Sequence, residues 1–303
     1  MTVEVKQPHT AVSPLFAEIQ REYGSRFDAA IVSNVTAALA EDVGPGDQTG
    51  RLVPADTWRR ARILVREDAV LCGVPWFQEV LAQLGGAIET DWHYREGDLM
   101  RADSTVVELH GPVRALLTAE RNALNFLQML SGVATVTRRY VDAIAGIPGN
   151  RNARILDTRK TMPGLRLAQK YAVRVGGGSN QRLALYDGIL IKENHIAAAG
   201  GVGAALHAAQ ALAAEVSIQI EVETLEQLAE ALTAGAQSVL LDNFTLEMMR
   251  QAVRVTEGRA VLEVSGGVNF DSVAAIAATG VDRISIGSLT KDVRAADFSM
   301  RLL

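Results

Sequence analysis

Four cations and two acids stand where short apolar runs of the chain end. Arg159 and Lys160 are adjacent, Arg182 and Lys192 follow in the next stretch, and Glu221 and Asp242 close two later runs. Cations that converge on one place repel one another unless an anion belongs between them. Arginine offers a planar fork that fits carboxylate or phosphate and lysine a compact point charge, so the set suits a small polyanionic ligand. A carboxylate at the end of a buried strand can hold Mg²⁺ through water or accept sugar hydroxyls, which is the chemistry read for Glu221 and Asp242. Capping of the following helix is the plainer alternative for Asp242. Glu223 faces the same side of a regular strand as Glu221 and is treated as its neighbour. Ser265, Gly266 and Gly267, and the run from Gly287 to Lys291, are short turns ahead of helices. Backbone N–H groups in such turns can receive phosphate, although glycine pairs also make plain turns.

Other features carry less chemistry. Arg151, Arg154, Arg166, Lys170 and Arg174 read as a solvated basic face. The glycines 176–178 lead toward Asn180 and Arg182 with no strand before them, so they are taken to permit close backbone approach and not as a dinucleotide fingerprint. His195 is structural or catalytic with equal standing. No His/Cys cluster suggests zinc, and no nucleophile-elbow spacing suggests a Ser-His-Asp enzyme.

These residues need elements that bring them to one place. From about residue 153 the pattern is strand, loop, helix, repeated, with strands expected at 153–158, 187–193, 218–223, 238–243, 260–267 and 283–288. Apolar β-rich runs separated by alanine-rich helices imply parallel strands covered by helices, as a doubly wound sheet or a barrel. The last four recur about every 20 residues, a spacing that suits a compact barrel. In such folds the site lies at the carboxyl ends of the strands, where all six runs end in polar residues. Before them, the spacing predicts helices over 17–40, a turn carrying Asp47, strands over 60–74, a helix over 75–86, strand over 98–111, and a long helix from near Pro112. A boundary is placed near residue 130.

The chain has 303 residues, 48% hydrophobic and 21% charged, ample for one large or two moderate cores. The net charge of −5 argues against a dedicated nucleic-acid or anionic-membrane binder, and no apolar run has the length of a membrane helix. That figure hides a stretch from Arg151 to Lys192 with nine basic and two acidic residues. The single Cys72 allows no intramolecular disulfide, and the opening residues lack a long apolar stretch after a basic start, so a cytoplasmic location is expected.

At this point the sequence resembles the quinolinate phosphoribosyltransferase family, among the type II phosphoribosyltransferases. The resemblance runs from about residue 36 to the C-terminus through residues 117–125, 157–166, 170–183, 190–195, 220–223, 240–244 and 265–267. It implies an α/β protein with an N-terminal α/β sandwich (1–130) and an incomplete, TIM-like α/β barrel (131–289), the tail of about 290–303 packing back on the first domain. It implies a homodimer or higher oligomer with a shared site, to which Arg121 comes from the partner subunit. Arg159, Arg182 and Lys192 match quinolinate contacts, Lys160 a residue between the two substrates, Glu221 and Asp242 acids near the ribose and Mg²⁺, and Ser265, Gly266, Gly267 and Gly287 phosphate positions. The implied activity is pentosyl transfer from 5-phosphoribosyl-1-pyrophosphate to quinolinate with loss of CO₂. Two positions depart from the family pattern. Gln181 replaces a frequent His; it can hydrogen-bond a quinolinate carboxylate but cannot become cationic. Lys291 stands where some members have His near the phosphates and keeps a positive charge. A relative acting on another aromatic carboxylate, and an idle phosphosugar-binding barrel, are the alternatives.

Overall fold

The computed structural model describes residues 14–303, so the first 13 residues, on which part of the leader reading rests, lie outside the described residues. The described chain forms two compact units. Unit 1 comprises the described residues up to Val136, Met162–Gly177 and Asp292–Leu303.

Its elements are α1 (Pro14–Tyr23), α2 (Ser25–Asp42), β1 (Trp58–Val65), β2 (Ala69–Val70), α3 (Val74–Gln83), β3 (Glu89–Trp92), β4 (Leu99–Met100), β5 (Thr105–Pro112), most of α4 (Val113–Ile144), α5 (Arg166–Val175) and β12 (Phe298–Leu302). The antiparallel sheet has the order β12-β1-β5-β3, and β2 pairs with β4. In β1 the residues Ala61, Ile63 and Val65 are buried, the period-two pattern of a strand with one face on the core. Helices α2, α3 and α5 meet through aromatic rings: Phe27, Trp76 and Tyr171 lie 5.5–5.9 Å apart between centroids. The buried Glu96 accepts hydrogen bonds from the Gly73 and Val74 amides at the start of α3, at 2.8 and 3.1 Å. Burial pushes its carboxyl up to about 7, against the pull of those amides. Gly132 of α4 lies against the backbone of Arg294 and Ala295, where a Cβ has no room.

Unit 2 holds β6 (Arg154–Leu156), β7 (Gly188–Ile191), α6 (Glu193–Ala199), α7 (Val202–Ala211), β8 (Ser217–Val222), α8 (Leu225–Thr233), β9 (Ser238–Asp242), α9 (Leu246–Thr256), β10 (Val261–Ser265), α10 (Val273–Ala277), β11 (Arg283–Ser285) and α11 (Ser288–Lys291). The strands are parallel in the order β6-β11-β10-β9-β8-β7. The first strand of the unit pairs with the last, as a ring of strands requires. Among the described residues the ring is interrupted between β6 and β7, where only the isolated bridge Leu156–Ser179 lies beside β6. This is the incomplete barrel expected from the resemblance.

Several expectations change in detail. The first barrel strand stops at Leu156, which leaves Asp157 to Lys160 in a loop. Lys170 is fully buried in α5, and Arg174 pairs with Glu18 and Glu22, so neither belongs to a solvated basic face. Arg151 and Arg154 are exposed, as that reading requires, and Arg166 is half-buried. Gly177 has a φ of 89°, a conformation that favours glycine and turns the chain out of α5.

Candidate active site

Side chains alternate along a strand, so residues two apart share a face. On β8 that pairs Gln219 with Glu221, on β9 Ser238 with Asp242 by way of Leu240, and on β10 Glu263 with Ser265. The carboxyl-terminal member of each set belongs to the sequence-derived site; the earlier member lies one layer beneath it.

The upper layer brings charges together. Lys192 Nζ lies 3.3 Å from Glu221 Oε2. Burial raises the Glu221 pKa; Lys192 pulls it back, while Asp242 and Glu193 push it further up, so the two acids feel one another. Asp242 does not cap the next helix. Thr245 does that, accepting from the Met248 amide at 3.2 Å, and Thr224 caps α8 in the same way. The acids at the ends of β8 and β9 are thereby left to the mouth of the ring. Asp242 Oδ2 accepts from Asn243 Nδ2 at 2.9 Å, and its Oδ1 fills the space where a side chain at Gly266 would begin. Gly266 and Gly267 have φ of 95° and 62°, so the turn after Ser265 is built for glycine. Glu223 is exposed beyond the end of β8.

The cations come from the β6 and β7 sides. Burial lowers the Arg182 pKa first, and the nearby Arg159 lowers it further against the opposing Asp187. The two guanidiniums are close enough for Arg182 to feel the charge of Arg159. Arg182 crosses Gly188 and donates to its carbonyl at 2.8 Å. Lys160 runs across Gly287, its Cδ occupying the room a Cβ there would need, and its carbonyl accepts from Thr290 Oγ1 at 2.7 Å. Lys291 closes the short α11 after Gly287 and is exposed.

Three further residues of the sequence reading have these places. His195 Nδ1 accepts the Lys192 amide at 3.0 Å, a local backbone role at the start of α6. Gln181 turns its amide into the ring interior, onto Gln219 and Glu263. Arg121 lies in unit 1, on α4, where it lines a cavity of about 520 Å³ with Asp42, Asp47 and Thr118. Sequence reasoning missed Asp157 as a positioning group. It is fully buried and accepts from Asn180 Nδ2 and the Gln181 amide at 2.6 and 2.9 Å. It also missed Gln219 and Glu263, although each is a polar residue interrupting an apolar strand.

Comparison with known proteins accords with this geometry. Residues 47–131 match the quinolinate phosphoribosyl transferase N-terminal domain and residues 133–301 its C-terminal domain. A nicotinate-nucleotide pyrophosphorylase (carboxylating) of Mycobacterium leprae is 42% identical over 91% of this chain and 98% of its own. A probable enzyme of the same name from Bacillus subtilis is 41% identical over 86% and 89%. The structure of the nicotinate-nucleotide pyrophosphorylase from Francisella tularensis superposes with a TM-score of 0.87 at 44% identity, covering 91% of this chain and 96% of that one. With both domain models matched in order and relatives covered nearly end to end, the chain belongs to the quinolinate phosphoribosyl transferase family.

Proposed function

We propose that this chain joins quinolinate to 5-phosphoribosyl-1-pyrophosphate, giving nicotinate mononucleotide, pyrophosphate and CO₂ for NAD biosynthesis. The observation that carries the reading is the mouth of the ring itself. Arg159 follows β6 and Arg182 precedes β7, the two strands that flank the break in the ring, and the next two strands, β8 and β9, carry Glu221 and Asp242, with Lys192 at 3.3 Å from Glu221, in a chain of this family.

Arg159, Arg182 and Lys192 hold the two quinolinate carboxylates and aim the ring nitrogen at ribose C1, so that proximity supplies much of the rate. The nitrogen attacks C1 as the bond to pyrophosphate breaks. Positive charge grows on the sugar, where Glu221 and Asp242 favour it and accept hydroxyls. Lys160, fixed across Gly287, places its ammonium between the two substrates, while Ser265, Gly266, Gly267, Gly287 and Lys291 receive phosphate. With the nitrogen quaternised, the bond from C2 to its carboxylate breaks. The electron pair stays on C2, stabilised by the cationic nitrogen, and a proton from solvent replaces the CO₂. No protein nucleophile is needed.

Glu221 and Asp242 also suit Mg²⁺. Their carboxylates are hard oxygen donors whose charges interact, and they would hold the ion directly or through water. When bound, the ion supplies charge neutralisation to the pyrophosphate. Arg121 serves a partner subunit's site in a homodimer, and the protein works in the cytoplasm. No helix among the described residues is long and apolar enough to cross a membrane.

Steady-state kinetics test the assignment. Arg182→Ala is expected to raise KM for quinolinate about tenfold or more, with a smaller change for the phosphoribosyl donor. Equal changes in both, or none, would remove Arg182 from the quinolinate site.

A further inference from the structure

Beneath the mouth lies a hydrogen-bond network that the reaction does not use directly. Glu263 is fully buried, and Gln219 and Ser285 are nearly so. Glu263 accepts from Ser285 Oγ at 2.6 Å, from Gln219 Nε2 at 3.0 Å and from Gln181 Nε2 at 3.0 and 3.2 Å. Gln181 Nε2 also donates to Gln219 Oε1 at 2.9 Å, and Gln219 Nε2 to Ser238 Oγ at 3.1 Å. The same Gln181 turns back on its neighbour, its Oε1 accepting the Arg182 amide at 2.6 Å. Its own amide donates to the buried Asp157. Residues of β8, β9, β10 and β11 and the loop after β6 are thus tied to residues 180–182, the irregular segment that passes beside the break between β6 and β7.

We propose that Gln181 and Glu263 are positioning residues: Gln181 is a strut that fastens the loop to the barrel interior through Glu263 and so sets the Arg182 guanidinium, and is not itself a ligand of the quinolinate carboxylates. This replaces the reading of Gln181 as a substrate contact and rests on the proposed quinolinate activity. The chemistry favours it. A buried carboxylate has to be satisfied by donors, and the Gln181 amide hydrogens are committed to it and to Gln219. A residue at 181 that turned to the substrate would leave Glu263 short of a donor in the ring interior. The layering agrees, because Gln219 and Glu263 lie two residues below Glu221 and Ser265 on the same strand faces.

A charge-reversal pair separates strut from ligand. Glu263→Gln alone is expected to raise KM for quinolinate about tenfold and KM for the phosphoribosyl donor less than about twofold, since β8, β10 and β11 keep their backbone ladders while the loop at Gln181 loses its anchor. Gln181→Glu alone sets two carboxylates against each other and is expected to do worse. The double variant Gln181→Glu/Glu263→Gln restores an amide–carboxylate pair with its direction reversed and is expected to recover quinolinate KM to within about threefold of the parent. If Gln181 touches a quinolinate carboxylate, the acid introduced in its place repels the substrate, and the double variant stays impaired for quinolinate although its melting temperature recovers; that result overturns the proposal. Should the double variant not fold, Ser285→Ala, which removes one donor from Glu263, is expected to raise quinolinate KM about two- to threefold, and an unchanged KM overturns it instead. A parent protein with no turnover of quinolinate would fail the proposed function itself, a separate outcome.

Discussion

At the residue scale, the cations and acids at the mouth separate binding from folding. Arg159→Ala is expected to weaken quinolinate binding at least about tenfold and leave the melting temperature unchanged, because a charge that repels Arg182 contributes little to stability. Calorimetry for binding and a thermal melt check both halves. Glu221 behaves differently, since its pKa is raised chiefly by burial. In the proposed mechanism the ionised acid is the working form, so activity is expected to fall on the acid side through a pKa above the ordinary glutamate range. A raised carboxyl makes the ionised form costly in the folded protein, so Glu221→Gln is expected to lose activity while melting no lower than the parent. The pH-rate profile and the melt test this together. The same sign holds more strongly at Glu96, where the carboxyl titrates at about 7 in the folded chain against an ordinary 4.5. Between those values the folded chain holds the extra proton, so stability contributed by this group is full below pH 4.5 and lost as pH rises through 7, by roughly 3 kcal/mol. Denaturant melts on either side of that window are expected to show the loss in the parent and not in Glu96→Gln.

At the scale of elements, close approach decides what is tolerated. Gly132 faces the backbone of Arg294 and Ala295, so Gly132→Ala must push α4 away from the segment leading into β12. A loss of about 2 kcal/mol or more is expected in denaturant melts. Gly203→Ala, in α7, meets nothing nearer than 3.5 Å and is expected to cost almost nothing; equal effects would discount the packing argument. The barrel strands are readable in the sequence because each is a short β-branched run with a polar end, and Glu221, Asp242 and Lys192 stand where those ends predict. The short β3 and β12 are not readable. Glu89–Trp92 has too few apolar residues to show a period, and Phe298–Leu302 becomes a strand only by pairing with β1. Lys170 reads as wet because it is basic, whereas α5 buries it next to Tyr171 of the aromatic cluster. Gln181 can be located along the chain but its direction cannot, since the aim of a loop side chain depends on partners such as Glu263 that are distant in sequence.

At the scale of the whole molecule, the net charge of −5 gains meaning only when resolved along the chain. The basic stretch from Arg151 to Lys192 includes the four cations proposed to meet the two polyanionic substrates, and it places Lys170 and Arg174 in unit 1. The shared site proposed for Arg121 makes activity a property of the assembly. Inactive Arg121→Ala and Arg159→Ala chains, when mixed and allowed to exchange, are expected to regain about a quarter of parental activity, because one site in such a mixed dimer carries neither change. Mixtures that never regain activity would contradict the cross-subunit role. The central claim concerns the reaction and is tested most directly by one incubation with quinolinate labelled in its 2-carboxylate, 5-phosphoribosyl-1-pyrophosphate and Mg²⁺. Labelled CO₂ and nicotinate mononucleotide are expected in equal amounts, both dependent on the phosphoribosyl donor. A nucleotide product formed without CO₂, or tight binding without any product, would contradict it.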